Sequence, residues 1–113
     1  MIDHVRPTEL SAWFAMAPEG SRPLVLDVRE PWELQTASVC ADGFELLAIP
    51  MGELPSRLSE MDPMRPVACL CHHGARSLRV AAFLEHHGFE RLANITGGID
   101  AWSRENDPSV PRY

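Results

Sequence analysis

The chain contains no lysine; its ten basic residues are all arginine. That absence excludes Schiff-base chemistry and a lysine general base. Positive charge is also scarce overall, with 10 basic residues against 16 acidic ones and a formal net charge of -6. A chain so biased is a poor partner for nucleic acid or an anionic membrane surface. No apolar run approaches the roughly 18 residues that a membrane span requires. The opening segment, MIDHVRPTEL, carries Asp3 and no apolar stretch, so it does not read as a signal peptide. Cysteine is sparse and odd in number, at three, with Cys69 and Cys71 one residue apart. That count argues against a secreted disulfide framework and for reduced thiols, so a cytoplasmic protein is expected.

The 113 residues, 45% hydrophobic and 23% charged, suit one soluble domain with a core of its own. That domain is expected over residues 1–113, its core over about 5–105, with 106–113 as an extended tail that packs on the surface or frays. Ten prolines cut the chain into short elements. Thr8 is placed to cap a first helix running to about Ala17. Leu24–Val28, Phe44–Ile49, Val67–Cys71 and Leu92–Ile95 are short apolar runs of the kind found in strands covered on both faces. Helical patterns fall at Glu53–Leu58, Ser77–His87 with Gly88 as its stop, and Ile99–Glu105. Strands alternating with helices predict an α/β fold with a mainly parallel sheet.

The chemistry concentrates after the strand Val67–Cys71. His72-His73-Gly74-Ala75-Arg76-Ser77 leads directly into a helix, and ligands in open α/β sheets bind at the carboxyl ends of strands. A tight loop entering a helix points backbone N–H groups inward, and such a nest favours an anion, of which a thiolate and a persulfide are examples. Cys71 is therefore the candidate nucleophile, with Arg76 as the nearby cation able to grip an oxyanion. Cys69 shares a face with Cys71 by the period of two and reads as core. A disulfide between them is disfavoured, because that spacing holds the Cα atoms about 6.5 Å apart, at the far limit for the bond. Cys40 reads as an incidental loop thiol. Cys69, Cys71, His72 and His73 lack the spacing of a zinc site, and no metal is expected. His86 and His87 are read as closing a helix C-terminus. Asp27 and Arg29 could support the Cys71 loop from the side, although an ion-pair network fixing the strand ends is the preferred reading. Trp32 is read as pocket wall or core, Trp102 as a core anchor, and Gly97-Gly98 as a plain turn.

These segments, in this order, resemble the rhodanese family of single-domain sulfurtransferases. LVLDVREPWEL, AIPMGEL, CHHGARS and ITGGIDAW match its successive signatures, from Leu24 to Trp102. The resemblance implies a rhodanese-like fold, with a central, mainly parallel five-stranded sheet flanked by helices. It implies a persulfide on Cys71, cradled by the backbone of His72, His73, Gly74, Ala75 and Arg76. Sulfur would come from a small thiosulfate-like donor and leave to a thiol or cyanide acceptor, or to a sulfur-carrier protein, with no cofactor. Between Trp32 and Pro50 the chain departs from the family, lacking its His-Ile-Gly-Ala pattern and carrying a few extra residues. The loop is Cys-x4-Arg, one residue shorter than the Cys-x5-Arg of cysteine phosphatases on the related fold, and a smaller cradle suits sulfur. The alternatives are a non-catalytic docking module and, less favoured, a phosphatase or arsenate reductase.

Overall fold

The computed structural model describes all 113 residues, Met1–Tyr113. Five short strands form one sheet: β1 (Ile2–Val5), β2 (Leu24–Asp27), β3 (Glu45–Ala48), β4 (Val67–Leu70) and β5 (Leu92–Ile95). Their order is β1-β5-β4-β2-β3, and every neighbouring pair is parallel. Helices α1 (Leu10–Ala15), α2 (Pro31–Thr36), α3 (Leu54–Arg57), α4 (Ala75–His86) and α5 (Gly98–Glu105) make the connections.

Both faces of the sheet are covered, which is why the central strands are apolar throughout rather than alternating. Leu24, Leu26, Val67 and Cys69 pack beneath Leu54, Val80 and Leu84 of α3 and α4. Val25, Ala68, Leu70 and Ala93 face the other way, against Leu10, Phe14 and Trp102 of α1 and α5. Trp102 is thus the core anchor it was read to be. Cys69 and Cys71 belong to the same face, as strand alternation requires.

Sequence and structure differ at several elements. β1 was not read as a strand, because IDHV is half polar; as an edge strand it buries only Val5 fully. The helix expected over Thr8–Ala17 is a 3-10 turn, Pro7–Glu9, followed by α1. Its start is capped by Glu9 rather than Thr8, since the Arg6 N–H donates to Glu9 Oε1 at 2.8 Å. Helix α2 lay unrecognised in the signature segment. The tail packs on the surface: Val110 is buried, Ser103 Oγ donates to its carbonyl at 2.6 Å, and Arg112 pairs with Asp100. No helix is long and apolar enough to cross a membrane.

The end of β2, helix α2, the turn after it and the tail are held together by Arg29, which is wholly buried. Nε and Nη2 donate to Asp27 at 2.9 and 2.7 Å, and Nη2 also reaches the Ala37 carbonyl at 2.8 Å. Nη1 donates to the Glu33 carbonyl at 3.2 Å and to the Tyr113 hydroxyl at 3.0 Å. All five guanidinium N–H groups are therefore engaged. Removing one partner of such a pair strands the other charge in the interior. Arg29→Leu is expected to cost roughly 3–5 kcal/mol, read as a lowered midpoint in urea unfolding. An unchanged midpoint would contradict the assigned role.

Candidate active site

Cys71 follows β4, the middle strand of the sheet, at its carboxyl end. Its side chain is 1% exposed. The next residues curl around the sulfur. Gly74 turns the chain with φ of 109°, a conformation that side chains disfavour, and caps α4. That turn brings the Gly74 N–H to 3.0 Å from Cys71 Sγ, as a donor. The N–H groups of Ala75, Arg76 and Ser77 open α4 and have no backbone acceptor, so they are free for a ligand. With the dipole of a twelve-residue helix behind them, they make a cradle of donors suited to an anion.

A buried polar pair braces the cradle from the sheet side. Asn94 on β5 donates from Nδ2 to the Gly74 carbonyl at 3.1 Å, which fixes the orientation of its amide. Its Oδ1 then lies 2.5 Å from Ser77 Oγ. Ser77 Oγ is also 3.3 Å from Cys71 Sγ. The serine has one proton for these two and for the Gly74 carbonyl, 3.2 Å away. With that proton on Asn94, a lone pair faces the thiol; rotated, the hydroxyl donates to an anionic sulfur.

From the outside, α5 presses on the loop. The Ile99 and Asp100 N–H groups donate to the carbonyls of Cys71 and His72 at 2.8 and 3.2 Å. Gly98 has φ of 60°, and a Cβ there would lie 2.4 Å from both of those carbonyl oxygens. Gly97-Gly98 is therefore not the plain turn expected of it but the surface against which the cradle is moulded.

The rim is aromatic. His72 stacks on His73 and on Tyr113, with centroids 3.9 Å apart in each case. Trp32, 62% exposed, meets the Tyr113 ring edge-on at 6.1 Å. His72 Nε2 is buried without a hydrogen-bond partner. The chain's largest cavity, about 570 Å³, lies elsewhere, among Phe14, Cys40, Phe44 and Trp102, and includes no residue of the cradle.

A match to the rhodanese-like domain model covers residues 10–105. The chain belongs to that family. It is 40% identical over 93 residues to a chloroplastic rhodanese-like/PpiC domain-containing protein of Arabidopsis thaliana, covering 79% of this chain but only 30% of that longer protein. It is 37% identical to a sulfurtransferase of Allochromatium vinosum, covering 77% and 78% of the two chains. With a thiosulfate sulfurtransferase of Actinobacillus pleuropneumoniae it shares 33% identity over 94% and 95% of the two lengths. Among solved structures, a rhodanese-related protein from Thermoplasma volcanium superposes with a TM-score of 0.76 at 28% identity, over 98% and 99% of the chains.

In this rhodanese-like domain the residues singled out from sequence fall into two groups. Cys71, His72, His73, Gly74, Ala75 and Arg76 form one loop. Asp27 and Arg29 stand apart from the sulfur and act on each other, the ion-pair reading. Arg76 departs from expectation. It is not a free cation at the mouth, because Nη1 and Nη2 fork onto Glu33 Oε1 and Oε2 at 2.7 and 2.8 Å. The cause is Glu33 itself, whose side chain is 3% exposed and requires a partner. Cys69 is buried without access, and desolvation, followed by the charge of Cys71, pushes its thiol up to about 12. Cys40 is exposed. No three His, Cys, Asp or Glu side chains converge into a metal-holding group.

Four contributors escaped the sequence reading. Ser77 was visible as part of the loop. Asn94 carried a signal, as the one polar side chain in the buried strand LANI. Glu33 sits three residues after Glu30 at the start of a helix, where its Oε1 accepts the Glu30 N–H at 3.0 Å. Tyr113 left no pattern at all.

The hydrogen bonds of Arg76 hold the Glu33 carboxyl down at about 2, against burial and with help from Tyr113, whereas the ordinary value is 4.5. A carboxyl lowered on folding stabilises the native state above its ordinary value, and that stabilisation is lost as pH falls toward the folded one. Wild-type stability is expected to drop by on the order of 3 kcal/mol between about pH 4.5 and 2 through this group. Glu33→Gln should show a correspondingly flatter acid limb in equilibrium unfolding. For Gly98→Ala, overlap with two carbonyls at a positive φ is expected to cost roughly 2–3 kcal/mol. Gly52→Ala, a change at an open position, should cost far less. Equal midpoints for the two variants in urea unfolding would argue against the moulding role.

Proposed function

We propose that this domain is a sulfurtransferase that carries sulfane sulfur as a persulfide on Cys71. The observation supporting this most is a single cysteine sulfur at the centre of a short loop, met by the Gly74 N–H and the Ser77 hydroxyl. In the first half-reaction the Cys71 thiolate attacks the outer sulfur of a donor such as thiosulfate. A new S–S bond forms, the donor's own S–S bond breaks, and its electron pair leaves on sulfite. In the second, a thiophilic acceptor such as cyanide or a thiol attacks the terminal sulfur and returns Cys71 to a thiolate. Negative charge resides on sulfur in both resting states, and preorganised N–H donors stabilise it.

His72, His73, Gly74, Ala75 and Arg76 supply the cradle in this reading. Asp27 and Arg29 support it only through the strand ends. Ser77 is a positioning residue for the sulfur. The four-residue spacing from Cys71 to Arg76 leaves a ring matched to one sulfur rather than to a tetrahedral oxyanion, which favours sulfur transfer over phosphoryl transfer. The physiological acceptor in this proposal is a small thiol or a sulfur-carrier protein.

Cys71→Ser is expected to abolish thiosulfate:cyanide sulfurtransfer without loss of fold, since a hydroxyl is nearly isosteric with a thiol but far less nucleophilic. Cys69→Ser and Cys40→Ser should keep most of it. Intact mass after incubation with thiosulfate should show one added sulfur in the wild type and none in Cys71→Ser. Turnover of a small aryl phosphate by the unmodified protein at rates above sulfur transfer would overturn the proposal.

A further inference from the structure

The electrostatics of the rim bear on which donor this site takes. Thiosulfate is a dianion and leaves behind a second dianion, sulfite, so a site that uses it well needs uncompensated positive charge at the mouth. Arg76 is the arginine within the loop, and it is neutralised. Glu33 meets it with both carboxylate oxygens. The carboxylate cannot swing away to release it, because Oε1 also accepts the Glu30 N–H at 3.0 Å and Oε2 accepts the Tyr113 hydroxyl at 2.6 Å. Tyr113 is in turn held by Arg29.

The surrounding charges restore little of the balance. Arg29 is matched by Asp27. Arg104 and Arg112 share the single carboxylate of Asp100, which leaves one formal positive charge there, but both side chains are about half exposed and screened by solvent. Arg79, one turn along α4 from Arg76, lines a separate groove with Met51, Leu54 and Phe83. The chain as a whole carries -6 and repels a dianion further. What the mouth offers instead is ring surface: the Tyr113 and His72 stack, with Trp32 exposed beside it. Such a rim suits an organic group on the donor.

We propose that Glu33 is a specificity-determining residue, which by occupying Arg76 selects organic hydropersulfides, R–S–SH, over thiosulfate. The inference rests on the persulfide reading of Cys71 and names its donor class. In the loading step the Cys71 thiolate attacks the outer sulfur of R–S–SH. The new enzyme S–S bond forms as the donor S–S bond breaks, and the electron pair departs on R–S⁻. No oxidant or reductant is consumed. The leaving thiolate carries one charge where sulfite carries two, so the neutralised mouth suits it. Selection thus has a repulsive half in Glu33 and an attractive half in the aromatic rim.

The test compares kcat/KM for thiosulfate and for 2-hydroxyethyl hydropersulfide, with one acceptor, in wild type, Glu33→Gln and the Glu33→Gln/Arg76→Gln double variant. The wild type should favour the hydropersulfide by about a hundredfold or more. Glu33→Gln exposes the Arg76 charge and should raise the thiosulfate-to-hydropersulfide ratio about tenfold. The double variant removes both charges and should bring the ratio back to within about threefold of wild type. A purely structural role for Glu33 would lower both donors together and leave the ratio unmoved, and that result overturns the proposal. Should Glu33→Gln not fold, the wild type decides alone. With a neutralised mouth, kcat/KM for thiosulfate stays flat or rises with added salt; a fall of several-fold reveals an uncompensated cation and overturns the proposal. Intact mass separates the two levels of inference. Absence of added sulfur on Cys71 with either donor overturns the persulfide reading itself, whereas normal loading with an unmoved ratio overturns the donor selection alone.

Discussion

One buried guanidinium organises this end of the molecule. Arg29 cannot be hydrated where it lies, so each of its five donors must find an acceptor within the protein. Those acceptors come from four places: the end of β2, the helix α2, the turn after it, and the tail at Tyr113. A charge that tolerates no missing partner is a positional constraint on every segment that supplies one. The constraint is then passed on. Tyr113, held by Arg29, donates to Glu33, and Glu33 holds Arg76 in the first turn of α4. The chain of contacts runs from the strand ends to the cradle without a gap. Its charges alternate in sign from Asp27 to Arg76, with the neutral Tyr113 hydroxyl at its centre.

The cradle is therefore fixed on three sides by different physics. Charge and hydrogen bonding hold Arg76 from α2. Close backbone approach, permitted only by the absence of a side chain at Gly98, holds the carbonyls of Cys71 and His72 from α5. On the sheet side, Asn94 binds Gly74 and Ser77 together. N–H donors that are already aimed need no reorganisation when charge appears on the sulfur, and that is where such a site gains over water.

Much of this was legible in the sequence, and the legible part has a common character. Local signals carried through: the apolar runs that became β2, β3, β4 and β5, the Gly88 stop of α4, and the Cys71 loop at a strand end. Each depends on residues close together in the chain. What failed depends on distant ones. β1 is too polar to announce itself and is a strand because β5 offers it a parallel partner. Gly98 looks like any turn glycine until the Cys71 carbonyl is placed against it. The free cation expected at Arg76 was a local inference, and it was undone by a carboxylate 43 positions away. Tyr113 gave no pattern because its meaning is entirely tertiary.

The segment between Trp32 and Pro50 is divided between the core and the surface. Its first part is not surplus: the Ala37 carbonyl accepts from Arg29, and Ala37 and Val39 enter the core on the α5 side. Beyond them the chain bulges outward through the exposed Cys40, Ala41, Asp42 and Gly43 before Phe44 packs edge-on against Trp102. This bulge lies on the N-terminal side of β3, over the large cavity, whose lining does not include Cys71. A parallel sheet places chemistry at the carboxyl ends of its strands and leaves the opposite ends free to vary. The exposed bulge therefore lies where the fold tolerates length, at the end of the sheet away from Cys71.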